Sequence, residues 1–449
     1  MTLRAAMVLT TIADPVVLDG YCANFEAHGH LDQVQVIVIP DKKTPPEVFL
    51  RCAALRKKGL EVLCPMIEEQ ERVLSRLGFP PDLVPYNSDN RRNVGYLMAA
   101  ESGADFLISI DDDNYCPAAE DFFEEHSVVC SSPGLHNAAE SSSGWFNLCD
   151  LLHLDQAYRV YARGFPYFAR HRESDFSVRP REATVRINAG MWLQDPDLDG
   201  ITWLAAPARA RSFKGKSIIL GEHTWSPVNT QNTALHRDVI PSYYFLPMGY
   251  SLSGLQTDRY GDIFSGYFSQ ACARHMGHSV RAGSPVADHR RNAHRYLRDA
   301  TQELACIWLL EDLLPWLTEL SLEGATYSDA YLSLSHLLED GVSHFSGFIW
   351  TDAARDYFHV MAAVQTPPCD RDEGDCNESD PPEESANSHR VPRDHRGPAR
   401  VAEAQQDETP GTEARRSHWV FVNQQRPLLL YAADDSEPRC RGRLRPDLE

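Results

Sequence analysis

Residues Phe106 to Asp113 read FLISIDDD, five largely apolar residues running straight into three aspartates. An unbroken apolar run of this length suits a strand buried on both faces, as in a parallel sheet covered by helices. Three carboxylates at its end repel one another and are costly to desolvate unless a cation or hydrogen-bond donors compensate. The stretch therefore predicts a covered sheet with positive charge at its carboxyl edge. From three aspartates alone, a solvated loop or a helix cap would read the same way.

The residues before it carry the same pattern. AAMVLTTI, VQVIVIPD and LEVLCP read as strands. Between them VVLDGYCANFEAHG, TPPEVFLRCAALRKKG and EEQERVLSRLG read as helices, with Thr44 as an N-cap ahead of two first-turn prolines. NRRNVGYLMAAESG predicts a helix ending at Gly103. Such alternation implies an α/β fold, a Rossmann-like and mostly parallel sheet with helices on both faces, and ligands at the carboxyl ends of its strands.

Residues 1–140 are thus expected to form one such half, and residues 141–292, less regular and rich in aromatics, Arg and His, a second. Leu/Trp periodicity predicts a helical C-terminal region over 293–364, kinked or split at Pro315. Residues 365–417 are polar and Pro-rich, too poor in apolar side chains to build a core, and read as a disordered linker; 418–449 form an apolar tail that could dock.

Composition excludes some functions. With 43 Lys+Arg against 64 Asp+Glu the net charge is −21, which argues against nucleic acid or an anionic membrane as partner. No apolar run is long enough to span a bilayer, and the short N-terminal one is cut off by Asp14 and Pro15, unlike a signal peptide. Eleven cysteines without metal-finger spacing read as reduced thiols of a cytoplasmic protein.

Hard cations such as Mg²⁺ or Mn²⁺ prefer carboxylate oxygens, and a diphosphate leaving group needs such a cation as charge builds on it. Asp-x-Asp at the end of a buried strand is therefore expected of a nucleotide-sugar site. RRNVGYLMA and FLISIDDD, with VIVIPD, RGFPYFAR, NAGMWLQDPDLDG, RYGDIFSGYFSQ and AGSPVADH, together resemble the donor-binding core of GT-A glycosyltransferases. The resemblance is closer to the reversibly glycosylated polypeptide family, whose plant members are UDP-arabinopyranose mutases, and covers roughly residues 5 to 292.

That resemblance implies that residues 1–140 bind the nucleotide-sugar and that 141–292 carry the acceptor and the catalytic groups, and it implies roles residue by residue. Thr10, Thr11 and Asp41 would hold the uridine, and Arg91 and Arg92 the diphosphate at a helix N-terminus. Asp111 and Asp112 would meet ribose or metal-bound water, while Asp113, with Asp111 and His289, would hold the metal. Asp262 would contact the acceptor or act as base. Arg163 and Arg170 match the family's arginine stretch and would serve the donor; Arg170 falls where the plant members become self-glycosylated, and would equally be a diphosphate clamp or a surface residue.

Departures from the family pattern fall on the acceptor side: Gly261 replaces an acidic residue, HRESDFSVRPREATVR is a longer insertion, and WSPVNTQNTAL is unusually polar. The expected function is metal-dependent transfer of a hexose, glucose from UDP-glucose, to a small polar acceptor such as an aminocyclitol of antibiotic biosynthesis. A UDP-sugar mutase is the alternative. A non-catalytic nucleotide-sugar-binding protein is a third reading, against which intact Asp111 to Asp113, Asp262 and His289 argue. The oligomeric state stays open.

Overall fold

In strand β1 (Ala5–Thr11) consecutive side chains enter two different cores, as the pleat of a doubly covered sheet requires. Ala6 and Val8 pack with Tyr96 and Ala99 of the helix at Arg92–Glu101, whereas Ala5, Met7 and Leu9 pack with Val17, Leu18, Tyr21 and Phe25 of α1 (Val17–His28). The computed structural model describes residues 2–170 and 176–365. Apart from Gln365, the segments 365–417 and 418–449 lie outside the described residues.

The first half alternates as the sequence predicts: β2 (Val34–Pro40), α2 (Glu47–Lys57), β3 (Glu61–Leu63), α3 (Ile67–Arg76), α4 (Arg92–Glu101) and β4 (Phe106–Ile110). Its strands pair parallel in the order β3-β2-β1-β4. Then follow β5 (Asn114–Tyr115), α5 (Phe122–Ser127), β6 (Gly134–Ser141), β7 (Leu152–Leu154), the single turn α6 (Tyr167–Arg170), β8 (Phe176–Ala183), β9 (Val185–Gln194), α7 (Gly200–Ala205), β10 (Ala210–Phe213), β11 (Ile218–Leu220) and β12 (Asn232–His236). A hairpin of β13 (Ser251–Leu252) and β14 (Leu255–Gln256) precedes α8 (Gly261–His275) and β15 (Ser279–His289).

The sheet does not stop at the expected boundary near residue 140. It continues from β4 as β12-β9-β15-β11-β6-β8, thirteen strands in all with its side branches. Here directions mix: β12 runs antiparallel to β4 and β9, while β15 runs parallel to β9 and β11 parallel to β6. Helices α9 (Tyr296–Leu317), α10 (Tyr327–Gly341) and α11 (Asp352–Gln365) form the expected helical region.

Two local expectations change. Pro315 does not split α9, which runs through it and ends two residues later; a proline so near the end leaves little helix beyond it to disturb. Thr44 does not cap α2, whose N-cap is Pro46. Its hydroxyl instead donates to the Thr11 carbonyl (2.6 Å) and accepts from Asp41 N–H (2.7 Å), tying together the ends of β1 and β2. The eight cysteines of the described residues are all unbridged. No described helix is long and apolar enough to cross a membrane.

Candidate functional site

The carboxyl ends of β1, β2 and β4 open into a cleft of about 650 Å³. Thr10, Thr11, Asp41, Arg91, Arg92, Asp111, Asp112, Asp113, Arg163, Asp262 and His289 all line it, which brings together nearly every residue singled out from the sequence. Arg170 is the exception. It lies away from the cleft, paired with Asp199 (2.5 Å) and laid over the Tyr167 ring at 3.6 Å, so its role is to brace α6 and α7 rather than to clamp a diphosphate.

The NRRN segment explains itself in pairs. The Asn90 amide donates to the Leu246 carbonyl (2.7 Å), and the Asn93 amide donates to Phe245 O (2.8 Å) while accepting from Phe245 N–H, so both dock the start of α4 on the second half. The arginines between them point to different tasks. Arg91 is buried and gives its donors to Gln70 and the Val84 carbonyl. These bonds tie it into the wall of the cleft that it lines. Arg92 reaches across to Asp111 (2.6 Å), Ser109 Oγ (2.9 Å) and the Thr230 carbonyl (3.2 Å). Burial works against its charge, but Asp111 beside it outweighs this and holds the guanidinium protonated.

The three aspartates therefore have three environments. Asp111 is neutralised by Arg92, although burial still raises its pKa. Asp112 accepts from the Thr11 hydroxyl (2.6 Å), and burial raises its pKa to about 6. Asp113 faces His289, Oδ2 to Nε2, at 3.5 Å. Backbone pairing produces this meeting: β5, which starts one residue after Asp113, runs antiparallel to the end of β15, placing Asn114 opposite His289. Burial opposes the charge on each partner, yet their mutual attraction lowers the Asp113 pKa and raises that of His289.

The donor chemistry fits a divalent cation at Asp113 and His289. The His289 Nδ1–H donates to the Asp195 carbonyl (2.5 Å), which leaves Nε2 facing Asp113, the arrangement in which imidazoles bind metals. Among the described residues no group of three or more His, Cys, Asp or Glu converges on one point. Asp111 thus departs from its expected place as a ligand, because its carboxylate is held by Arg92. One carboxylate and one imidazole leave the other positions to water and substrate phosphate, as Mg²⁺ sites commonly do.

The far wall is a buried ion-pair network. Arg163 grips Asp262 through both terminal nitrogens (3.0 and 2.7 Å) and Asp197 through Nε (2.9 Å). It also donates to the Arg259 carbonyl. Burial acts to raise the Asp197 pKa, but Arg163 outweighs it and holds the group below the usual carboxylate range. Asp262 sits in the first turn of α8, where the helix dipole also favours its charge. With both oxygens accepting from Arg163, it fixes this wall of the cleft.

Sequence reasoning missed Arg291 and His294, which also line the cleft, and had Arg259 in view only as the first residue of RYGDIFSGYFSQ. Asp197 was in view only as part of the LQDPDLDG stretch. Arg259 adopts a left-handed backbone, φ 61°, which non-glycine residues rarely hold outside constrained sites. Nothing in its local sequence, TDRYGD, announces this.

Fold and site together define an α/β chain with an acidic, cation-ready cleft at the carboxyl ends of parallel strands, the place where such sheets bind ligands. In sequence it is similar to UDP-arabinopyranose mutase 1 of Arabidopsis thaliana, 26% identical over 283 residues, which is 60% of this chain and 70% of that one. It is also similar to UDP-arabinopyranose mutase 1 of Oryza sativa subsp. japonica, 25% identical over 276 residues and covering 59% and 68% of the two chains. No protein-family model matches the chain. Among solved structures, glucosyl-3-phosphoglycerate synthase from Mycobacterium tuberculosis, in complex with phosphoglyceric acid, aligns with TM-score 0.37 at 11% identity, over 69% of this chain and 80% of that one.

Proposed function

We propose that the chain is an enzyme acting on a UDP-sugar in this cleft, with Mg²⁺ or Mn²⁺ held by Asp113 and His289. The observation that carries the reading is the meeting of Asp113 with His289 at 3.5 Å beside the strand ends that bear Thr10, Thr11 and Asp41. The cation would neutralise charge gathering on the diphosphate. The chain's own residues do the rest. Arg92 pairs with Asp111 and so offsets one of the three adjacent acidic groups that would otherwise repel the anionic donor. Asp41, whose Oδ2 accepts from Ser88 N–H (3.2 Å), and Thr11 hold the loops around the uridine end in register.

On this reading the reaction is transfer of a hexose, glucose from UDP-glucose, to a small acceptor in the second half of the cleft. The named relatives favour a second reading, interconversion of ring forms of a UDP-sugar without any acceptor. The test is to incubate the full chain with Mn²⁺ or Mg²⁺ and a panel of UDP-sugars, with and without acceptors, and to identify products by chromatography and mass spectrometry. A new glycoside with UDP release supports transfer. A UDP-sugar of unchanged mass and shifted retention supports the mutase. No turnover of any UDP-sugar, together with no UDP binding, removes both readings.

A further inference from the structure

The wall opposite the aspartates holds two arginines whose donors are largely unused. Arg259 uses one of its side-chain N–H groups, Nε to Glu303 Oε1 at 2.9 Å. Glu303 is fully buried and also accepts from Gly200 N–H (2.6 Å), so it is a fixed anchor. The Arg291 side chain is only 5% exposed, and its nearest carboxylate oxygen, on Asp299, is 3.9 Å away, beyond hydrogen-bond distance. That carboxylate already accepts from His294 Nδ1 at 2.8 Å. Nη1 of Arg291 is buried with no hydrogen-bond partner. Arg163, by contrast, is fully engaged with Asp197, Asp262 and the Arg259 carbonyl.

A buried guanidinium without acceptors is costly, and the folded chain nonetheless holds this one in place. Its carbon lies 5.3 Å from the centre of the Trp203 ring and 5.7 Å from that of Tyr296, two rings that stack on each other at 5.4 Å. Arg259 is presented by its left-handed backbone. Both arginines line the same cleft as Asp113 and His289. Guanidinium forks match the oxygens of carboxylate and phosphate.

We propose that Arg259 and Arg291 form an oxyanion subsite that takes a carboxylate or phosphate group of a second substrate. The proposal rests on the UDP-sugar reading for the word "second" and deepens it: the acceptor is anionic, not a neutral polyol or a cationic aminocyclitol. Placement supports the assignment. Both arginines come from the loops before α8 and after β15, and Arg291 is caged by α7 and α9, whereas the expected uridine residues come from the ends of β1 and β2.

The probe is inorganic phosphate, titrated calorimetrically into the full chain with and without saturating UDP and Mg²⁺. Phosphate should bind the UDP-loaded protein, and Arg291→Gln should weaken it on the order of tenfold while UDP affinity stays within about twofold. Arg291→Lys, which keeps the charge but not the fork, should weaken it less and controls for folding, as does an unchanged melting temperature. Phosphate that UDP displaces would mean the arginines serve the donor diphosphate and would overturn the proposal. So would absence of phosphate binding to the wild type, or binding untouched by Arg291→Gln and Arg259→Gln. Phosphate binding that depends on Arg291 in a chain that never binds UDP would sink the nucleotide-sugar reading and leave the oxyanion subsite standing.

Discussion

Asp113 and Asp262 are both acidic residues of one cleft, and their surroundings assign them opposite duties. Asp113 has a histidine at 3.5 Å and partial exposure, so it can exchange that partner for a cation. Asp113→Ala should lower Mn²⁺ or Mg²⁺ affinity by more than the roughly 10–100-fold that removal of an outer partner costs, measured by metal titration. Unchanged affinity would remove Asp113 from the site. Asp262 is locked in a bidentate pair with Arg163 in a buried network. Asp262→Asn leaves that arginine under-compensated and should cost about 3 kcal/mol of stability, read as a lower urea midpoint. A general base would behave differently, losing turnover while the midpoint stays put. His126 is a third case, fully buried between α5 and the sheet. Its Nδ1 accepts from the Asn188 amide (3.0 Å) and its Nε2–H donates to Asn232 Oδ1 (2.9 Å). Burial pushes its pKa down to about 3 from an ordinary 6.5. The unfolded chain takes up this proton first, so stability is complete above about pH 6.5 and falls as pH drops towards 3. His126→Gln should flatten the acid slope by up to about 1.4 kcal/mol per pH unit, checked by urea midpoints at pH 7 and 5.

Among the elements, α4 shows how closely a helix must approach the sheet to deliver Arg92 to Asp111. The device is Gly95. A Cβ there would stand 2.4 Å from Val8 Cγ1 and 3.0 Å from Ile39 Cγ1. Replacing glycine by alanine in a helix ordinarily gains about 1 kcal/mol. Here overpacking against two buried β-branched side chains costs about 1–3 kcal/mol, and the shift would also move Arg92. Gly95→Ala should therefore lower the melting temperature and reduce activity together; a rise in melting temperature would show that β1 yields. Strand β15 is the other element on which the site depends. It lies between β9 and β11, and its last residue is His289. The close approach of Gly190 in β9 to Asn232 of β12 and the Pro285 carbonyl of β15, under 3 Å for any added Cβ, seats β9 tightly between β12 and β15.

In the molecule as a whole, one sheet runs through both expected halves, and Ala6, Val8, Ile37 and Ile39 share a core with Trp145, Trp192 and Tyr267. The two should unfold together. All eight tryptophans lie at or beyond Trp145, so fluorescence reports on the chain beyond the first half while far-ultraviolet circular dichroism reports on both halves. The two probes should give one coincident urea transition; separated transitions would mean the halves fold independently. The alternation of apolar runs and helical patterns already declared the first half, because burial on both faces leaves a continuous apolar strand that a single chain segment displays. FLISIDDD likewise declared the edge where charge had to be answered. What answers it was decided by tertiary contacts between residues far apart in sequence: Arg92 for Asp111, Thr11 for Asp112, His289 for Asp113, Arg163 for Asp262. Periodicity reports which side of an element is buried, but not which charge lies across from it. Only the pairing of β5 with β15 and the docking of α4 against Phe245 and Leu246 could determine that.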